Sequence, residues 1–290
     1  MPAHGMGRAV VRRVRLCLNS PSAPPGPESP AGCPLIAEQT ATIGGLEPSH
    51  NPIDKSGGRV RGMFAEIAPR YDLVNRMLSG GIDVWWRHVT VSRAPPPPAG
   101  AMLDLCTGTG DLALAYAAKG GPGLRIVAGD FCRPMLDRGI AKARRLGASI
   151  EWVEADATAL PFPAAEFDLV TVAFGLRNIE DTSRGLAEMA RVLKPGGRLA
   201  ILEFSLPRNP LIRGGYLWYF RNVLPWLGNA VARNRSDAYS YLNRSVEEFP
   251  SGERLAALVR AAGFDRVEVV PLTLGVAALT LATRSDGKAG

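Results

Sequence analysis

The segment Leu103-Asp104-Leu105-Cys106-Thr107-Gly108-Thr109-Gly110-Asp111 constrains this chain more than any other. A short apolar run ends in a loop with two glycines, and Leu112 to Lys119 then reads as a helix. A strand feeding a Gly-rich turn lets backbone approach a ligand closely, because Gly108 and Gly110 carry no Cβ. Asp130 closes the next apolar run, Arg125 to Gly129, at the spacing at which an acid meets the two hydroxyls of a ribose. The segment reads as the start of a nucleoside-binding βαβ unit.

Two nucleosides compete for it. Gly108-Thr109-Gly110-Asp111-Leu112-Ala113 satisfies the loose pattern G-x-G-x-x-G/A, so a nicotinamide or flavin dinucleotide must be weighed. A dinucleotide sets its pyrophosphate on the helix N-terminus, where exposed N–H groups favour negative charge. Here Asp111 opens the helix and Asp104 lies in the preceding strand. Two carboxylates repel a pyrophosphate but suit a ligand with a sulfonium and an ammonium group. The charge logic points to S-adenosylmethionine.

Downstream, Ile150 to Glu154 reads as a strand leading into Ala155-Asp156-Ala157-Thr158. Asp156 is placed to accept the exocyclic amine of an adenine, or else to cap a turn. Phe167 to Ala173 reads as a fourth strand. Arg191 to Gly197 reads as the end of a helix stopped by Pro195, with Arg198 to Phe204 as the next strand. Ser251 to Ala261 reads as a helix, followed by Val267–Val270 and Val276–Ala282 as a closing pair of strands. Strands alternating with helices in a chain of 290 residues argue for one α/β domain.

Several of these stretches resemble the class I S-adenosylmethionine-dependent methyltransferases: the loop Leu103–Asp111, the segment Ala159–Phe162 and the helix end Leu193–Gly197. Others are narrower. Phe64 to Asp72 with Asn75, Ser79-Gly80-Gly81 and Trp86-Arg87 looks like the N-terminal signature of the ubiquinone/menaquinone-biosynthesis C-methyltransferases. Phe174-Gly175-Leu176-Arg177-Asn178 and Leu202-Glu203-Phe204-Ser205 look like their later signatures, and the likeness runs over about residues 60 to 285. The resemblance implies a Rossmann-like α/β fold: a mostly parallel seven-stranded sheet with helices on both faces and an antiparallel last strand. It also implies methyl transfer from S-adenosylmethionine to a ring carbon of a polyprenylated quinol. Demethylmenaquinol is the preferred acceptor, a 2-methoxy-6-polyprenyl-1,4-benzoquinol of the ubiquinone pathway the alternative, and an NAD(P)-dependent oxidoreductase the more distant one.

Carried over residue by residue, the cofactor contacts fall on Thr109, Asp130, Asp156 and Ala157, to which the loop adds Asp104, Gly108 and Gly110. Some relatives carry Ser where this chain has Ala173, so a hydroxyl contact there is absent. A quinol carbon is a weak nucleophile until the neighbouring phenol loses its proton. Of the three histidines, His4 and His50 lie in the leader, and His88 reads as a surface or half-buried residue. Arg177 and Asn178, just past a strand end, and Tyr71 are the expected catalytic groups, because the signatures of the family that the chain resembles land on them. Arg177 would stabilise a forming phenolate or hold a water that takes its proton. The plain structural alternatives are a salt bridge from Arg177 to Glu180 or Asp181, and a buried core ring for Tyr71. No Cys/His cluster has metal-ligand spacing, so no metal is expected.

Residues 1–58, with Pro21, Pro24, Pro25, Pro27 and Pro30, read as a disordered leader. Arg8, Arg12, Arg13 and Arg15 give it a superficial likeness to a transit peptide, but a misplaced start or a bacterial leader fits better. The domain then spans 59–285, with an N-terminal helical cap at 59–94, a helical lid at 205–250 and a tail at 286–290. Pro95 to Pro98 form a stiff spacer. The cysteines, Cys17, Cys33, Cys106 and Cys132, have no disulfide-like spacing and suit a reducing cytoplasm. The net charge is +7, and the run Leu211 to Arg235 mixes aromatics with arginines, as suits a bilayer headgroup region. The preferred reading of that run is a lid over the site with its aromatics packed inward, and peripheral contact with the inner face of the cell membrane is a further hypothesis for a cytoplasmic protein; no nucleic-acid partner is expected, and a homodimer is admitted. RNA methylation is the weaker use of the basic charge, since no RNA-binding module is appended.

Overall fold

The computed structural model describes residues 55–223 and 236–286. The leader up to residue 54, much of the aromatic and arginine-rich run after Val223, and the last four residues lie outside the described residues.

Three helices come first: α1 (Gly57–Ile67), α2 (Tyr71–Ser79) and α3 (Ile82–Arg93). Gly80 and Gly81, both at positive φ, make the turn between α2 and α3. Strand β1 (Gly100–Leu105), helix α4 (Asp111–Lys119), β2 (Leu124–Asp130), α5 (Arg133–Leu146) and β3 (Glu151–Glu154) build the first half of the sheet. Strand β4 (Phe167–Ala173), α6 (Thr182–Val192), β5 (Leu193–Phe204), α7 (Pro210–Trp218), α8 (Ser236–Glu248), α9 (Glu253–Ala261), β6 (Phe264–Leu272) and β7 (Ala277–Arg284) complete it.

The seven strands lie in the order β3-β2-β1-β4-β5-β7-β6. Strands β1 to β5 pair in parallel, and β7 runs antiparallel between β5 and β6. Alternation divides the sheet into two buried faces. On one, Leu103, Leu105, Val127, Leu199 and Ile201 meet Leu186 and Met189 of α6 and Leu255 and Val259 of α9. On the other, Met102, Ile126, Ala128, Ala200 and Leu202 meet Trp86 of α3 and Leu112 and Tyr116 of α4. The order in which successive strands are added reverses between β1 and β4, and a cleft opens beyond the carboxyl ends of strands at such a point.

Two strand boundaries differ from the sequence reading. Helix α6 stops at Val192, and Leu193 already pairs with Phe167. Pro195 acts earlier than its own position, because the residue before a proline is pushed out of the helical region, so the helix must close before Lys194. Strand β6 runs on both sides of Val267–Val270; its register shifts between Asp265 and Glu268, where Arg266 has φ 47°, and that irregularity hides the alternation.

Candidate active site

A cleft lies over the carboxyl ends of β1 to β4, where open α/β sheets bind their ligands. Strand β1 contributes Leu105, Cys106 and Gly108; β2 contributes Asp130 and Phe131; the segment after β3 contributes Ala155 to Thr158. Gly175, Asn178 and Glu180 come from the turn after β4, Phe64 and Tyr71 from the N-terminal helices, and Lys55 from the segment just before α1. Gly108, Asp130, Asp156, Ala157, Asn178 and Tyr71, all expected from the sequence, thus share one wall system.

Asp130 is buried, and its two carboxylate oxygens each accept a backbone N–H, from Gly108 at 2.8 Å and from Cys132 at 2.8 Å. Burial pushes its carboxyl up to about 6, against the pull of those bonds. The acid therefore links the two loops that flank the cleft. Asp156 closes a turn, its Oδ1 accepting from Thr158 N and Oγ1 at 2.8 Å each, and the residue also lines the cleft.

Asp104, Thr109 and Gly110 do not line the cleft. Asp104 lies beneath the loop, on the α4 face of the sheet, accepting from Thr107 Oγ1 at 2.5 Å and Thr171 Oγ1 at 2.6 Å. Burial raises its carboxyl to about 6. Thr109 Oγ1 donates to Asp72 at 2.5 Å and accepts from Lys142 at 3.0 Å. Gly110 has φ 80°, and a Cβ there would come within 2.4 Å of the Trp152 ring. Its lack of a side chain serves packing against β3 rather than the approach of a ligand. Asp111 is held by Lys142 and lies 3.6 Å from Arg76. The two acids that the charge argument rested on are thus engaged by the protein, and the negative character of the cleft comes from Asp130, Asp156 and Glu180.

Arg177 is buried, with Nη1 2.6 Å from Glu203 Oε1 on β5 and 2.6 Å from the carbonyl of Phe174. Its partner is neither Glu180 nor Asp181. Nε of Arg177 is buried without a hydrogen-bond partner among the described residues, and the guanidinium lies 5.3 Å from the Phe204 ring centroid. Asn178 accepts from Tyr241 Oη at 3.1 Å, joining helix α8 to the cleft wall. His88 is exposed on α3. Cys106 lines the cleft, and burial beside Asp130 and Asp104 pushes its thiol well up, which leaves it a weak nucleophile. Sequence reasoning missed Lys55 and Glu203. Lys55 sits among residues read as leader, and Glu203, though inside a signature stretch, shows its partner only when the fold sets β5 beside the turn after β4.

The sheet order and a cleft at its switch point define a Rossmann-like, class I methyltransferase fold. A solved S-adenosylmethionine-dependent methyltransferase from Aquifex aeolicus shares it, with a TM-score of 0.53 at 17% identity over 73% of this chain and 97% of that one. The model of the ubiE/COQ5 methyltransferase family matches residues 53–284, and the chain belongs to that family. A demethylmenaquinone methyltransferase of Thermus thermophilus is 49% identical over 77% of this chain and all of its own length. A ubiquinone/menaquinone biosynthesis C-methyltransferase UbiE of Bordetella parapertussis is 44% identical over 76% of this chain and 85% of its own.

Proposed function

We propose that this chain is an S-adenosylmethionine-dependent C-methyltransferase that converts a polyprenylated demethylmenaquinol to menaquinol. The observation that carries the reading is the family match over residues 53–284, which includes every residue lining the cleft. The donor set fits the cofactor: Asp130 presents a buried carboxylate with lone pairs to spare, Asp156 presents a second acceptor, and Gly108 adds no side chain between them. Asp130 would take the ribose hydroxyls, and Asp156 with Ala157 the adenine. Thr109 and Asp104 would act beneath, fixing the loop that carries Gly108. When bound, the cofactor supplies an electrophilic methyl group, which a ring carbon captures while losing its hydrogen as a proton.

The chain's own work is to bind, orient and exclude water. Tyr71 and Asn178 line the cleft and would face the ring, and Arg177, its charge offset by Glu203, would sit behind them and polarise that wall toward a phenolate. Alignment of donor and acceptor in such a cleft can lower a barrier by roughly 7–11 kcal/mol. The dinucleotide reading loses ground here, because three carboxylates and one cation line the cleft. No helix among the described residues is long and apolar enough to cross a membrane. Peripheral contact with the bilayer that holds a prenylated substrate is supported by Leu211 and Trp218 of α7, 87% and 62% exposed.

The test offers methyl-labelled S-adenosylmethionine with reduced demethylmenaquinone and, separately, with a 2-methoxy-6-polyprenyl-1,4-benzoquinol. Label should enter the first quinol. Label in the second alone assigns the chain to the ubiquinone pathway, and label in neither overturns the reading.

A further inference from the structure

We propose that Lys55 is a substrate-binding residue, its ammonium bonding the ring oxygen of the quinol and holding that oxygen as the phenolate. This rests on the function proposed above and adds a residue to its site. Among the residues that line the cleft, Lys55 is the single lysine or arginine. It is half-buried, with Nζ 5.6 Å from the ring centroid of Phe249, a residue that closes α8. No hydrogen bond or ion pair to Nζ is found among the described residues. A desolvated ammonium without an acceptor is costly in a folded protein, and a ligand oxygen removes that cost.

The surroundings say which oxygen. Lys55 feels Glu248 from α8, Arg177 from the turn after β4 and Glu203 from β5. It therefore stands at the Arg177 end of the cleft. Asp130 and Asp156, which suit ribose and adenine, rise from β2 and β3, on the far side of β1. Arg177 and Glu203 offset each other as a buried pair at 2.6 Å, so Lys55 supplies the uncompensated positive charge there. Arg177 itself does not line the cleft, so an anionic oxygen there meets the Lys55 ammonium.

The assigned step is ionisation of the phenol. The O–H electron pair stays on oxygen, the proton passes to water, and the phenolate is stabilised by Lys55 in its charged form. Burial lowers the lysine's own proton affinity, while Glu248 and Glu203 support the charge and Arg177 opposes it.

The experiment compares wild type with Lys55→Met, Lys55→Gln and Lys55→Arg in the full chain. It reads kcat/KM for demethylmenaquinol across pH, quinol binding in the presence of S-adenosylhomocysteine, and S-adenosylhomocysteine affinity alone. Removing a hydrogen bond to a charged group corresponds to a loss of about 10- to 100-fold in kcat/KM. Met and Gln should show it, with the acid limb of the pH profile moved to higher pH, quinol binding weakened and S-adenosylhomocysteine affinity unchanged; Arg should restore most of the loss. Unchanged kcat/KM and pH profile in Met and Gln overturn the proposal, as does a loss of S-adenosylhomocysteine affinity that matches the loss of activity. Wild-type protein that methylates no quinol speaks against the function itself, a result distinct from either.

Discussion

Thr109 Oγ1 donates to Asp72 Oδ1 at 2.5 Å, joining the glycine loop after β1 to helix α2. Lys142 of α5 binds the same Asp72 at 2.9 Å and also Asp111 of α4. Burial raises the Asp72 carboxyl, but the bonds from Thr109 and Lys142 outweigh it and hold the group below its ordinary value. A depressed carboxyl contributes stability above its unfolded pKa and loses it as pH falls through the folded one. Asp72→Ala should weaken attachment of the N-terminal helices by about 1–3 kcal/mol. Limited proteolysis checks this: cleavage within residues 57–79 should speed up in the variant, and in wild type as the solution is acidified.

Asp130 behaves in the opposite sense. Its carboxyl, raised to about 6 by burial, binds a proton more readily in the folded than in the unfolded chain. Its contribution is therefore fully present below the unfolded value near 4 and declines as pH rises through about 6. Ligand hydroxyls favour the ionised form, so cofactor affinity should rise from pH 5 to pH 7, and Asp130→Asn should flatten that rise. Calorimetric titrations at the two pH values give the comparison. The stability of Asp130→Asn relative to wild type should also increase over the same interval.

The Trp152 ring fills the space against Gly110 and Gly139, where a Cβ at either would come within 2.4 Å of it. Gly110→Ala also forces an L side chain onto φ 80°. A loss of ~1–3 kcal/mol is expected, read as a lower Tm, and Trp152→Leu in the same chain should recover part of it. No recovery would mean that backbone strain alone sets the cost.

Breaking one member of the Arg177–Glu203 pair strands the other in the interior, at a cost of about 3–5 kcal/mol. Arg177→Met should therefore lower both Tm and turnover. Adding Glu203→Leu should restore Tm and leave turnover low. Turnover recovered together with Tm would show the arginine to be structural.

Leu211 and Trp218 stand out from α7 into solvent. The protein should sediment with anionic vesicles at low salt, less so as salt screens the basic charge, and Leu211→Ser with Trp218→Ser should reduce sedimentation further. Equal sedimentation of wild type and variant removes α7 from the contact.

Much of this was legible from local pattern. Strand β4 is a mostly apolar run interrupted by Asp168 and Thr171, and it forms over the residues the pattern marks, Phe167 to Ala173. Asp130 has the distance from its glycine loop that is expected of a ribose acid, and the structure places it in the cleft wall. Charge was harder to read, because a carboxylate's role depends on its partner, and the partners come from afar in sequence. Asp104 meets Thr171, Asp111 meets Lys142, and Arg177 meets Glu203. Gly110 was credited to a ligand because Trp152, its actual neighbour, is supplied by a strand that only the sheet order sets nearby.

The most direct test is a crystal structure of the chain with S-adenosylhomocysteine. The ribose hydroxyls should lie within hydrogen-bond distance of Asp130 and the adenine amine beside Asp156, with the sulfur facing the Tyr71 and Asn178 side of the cleft. A ligand seated elsewhere, or a cleft that takes up NADH and leaves S-adenosylhomocysteine in solution, would contradict the account.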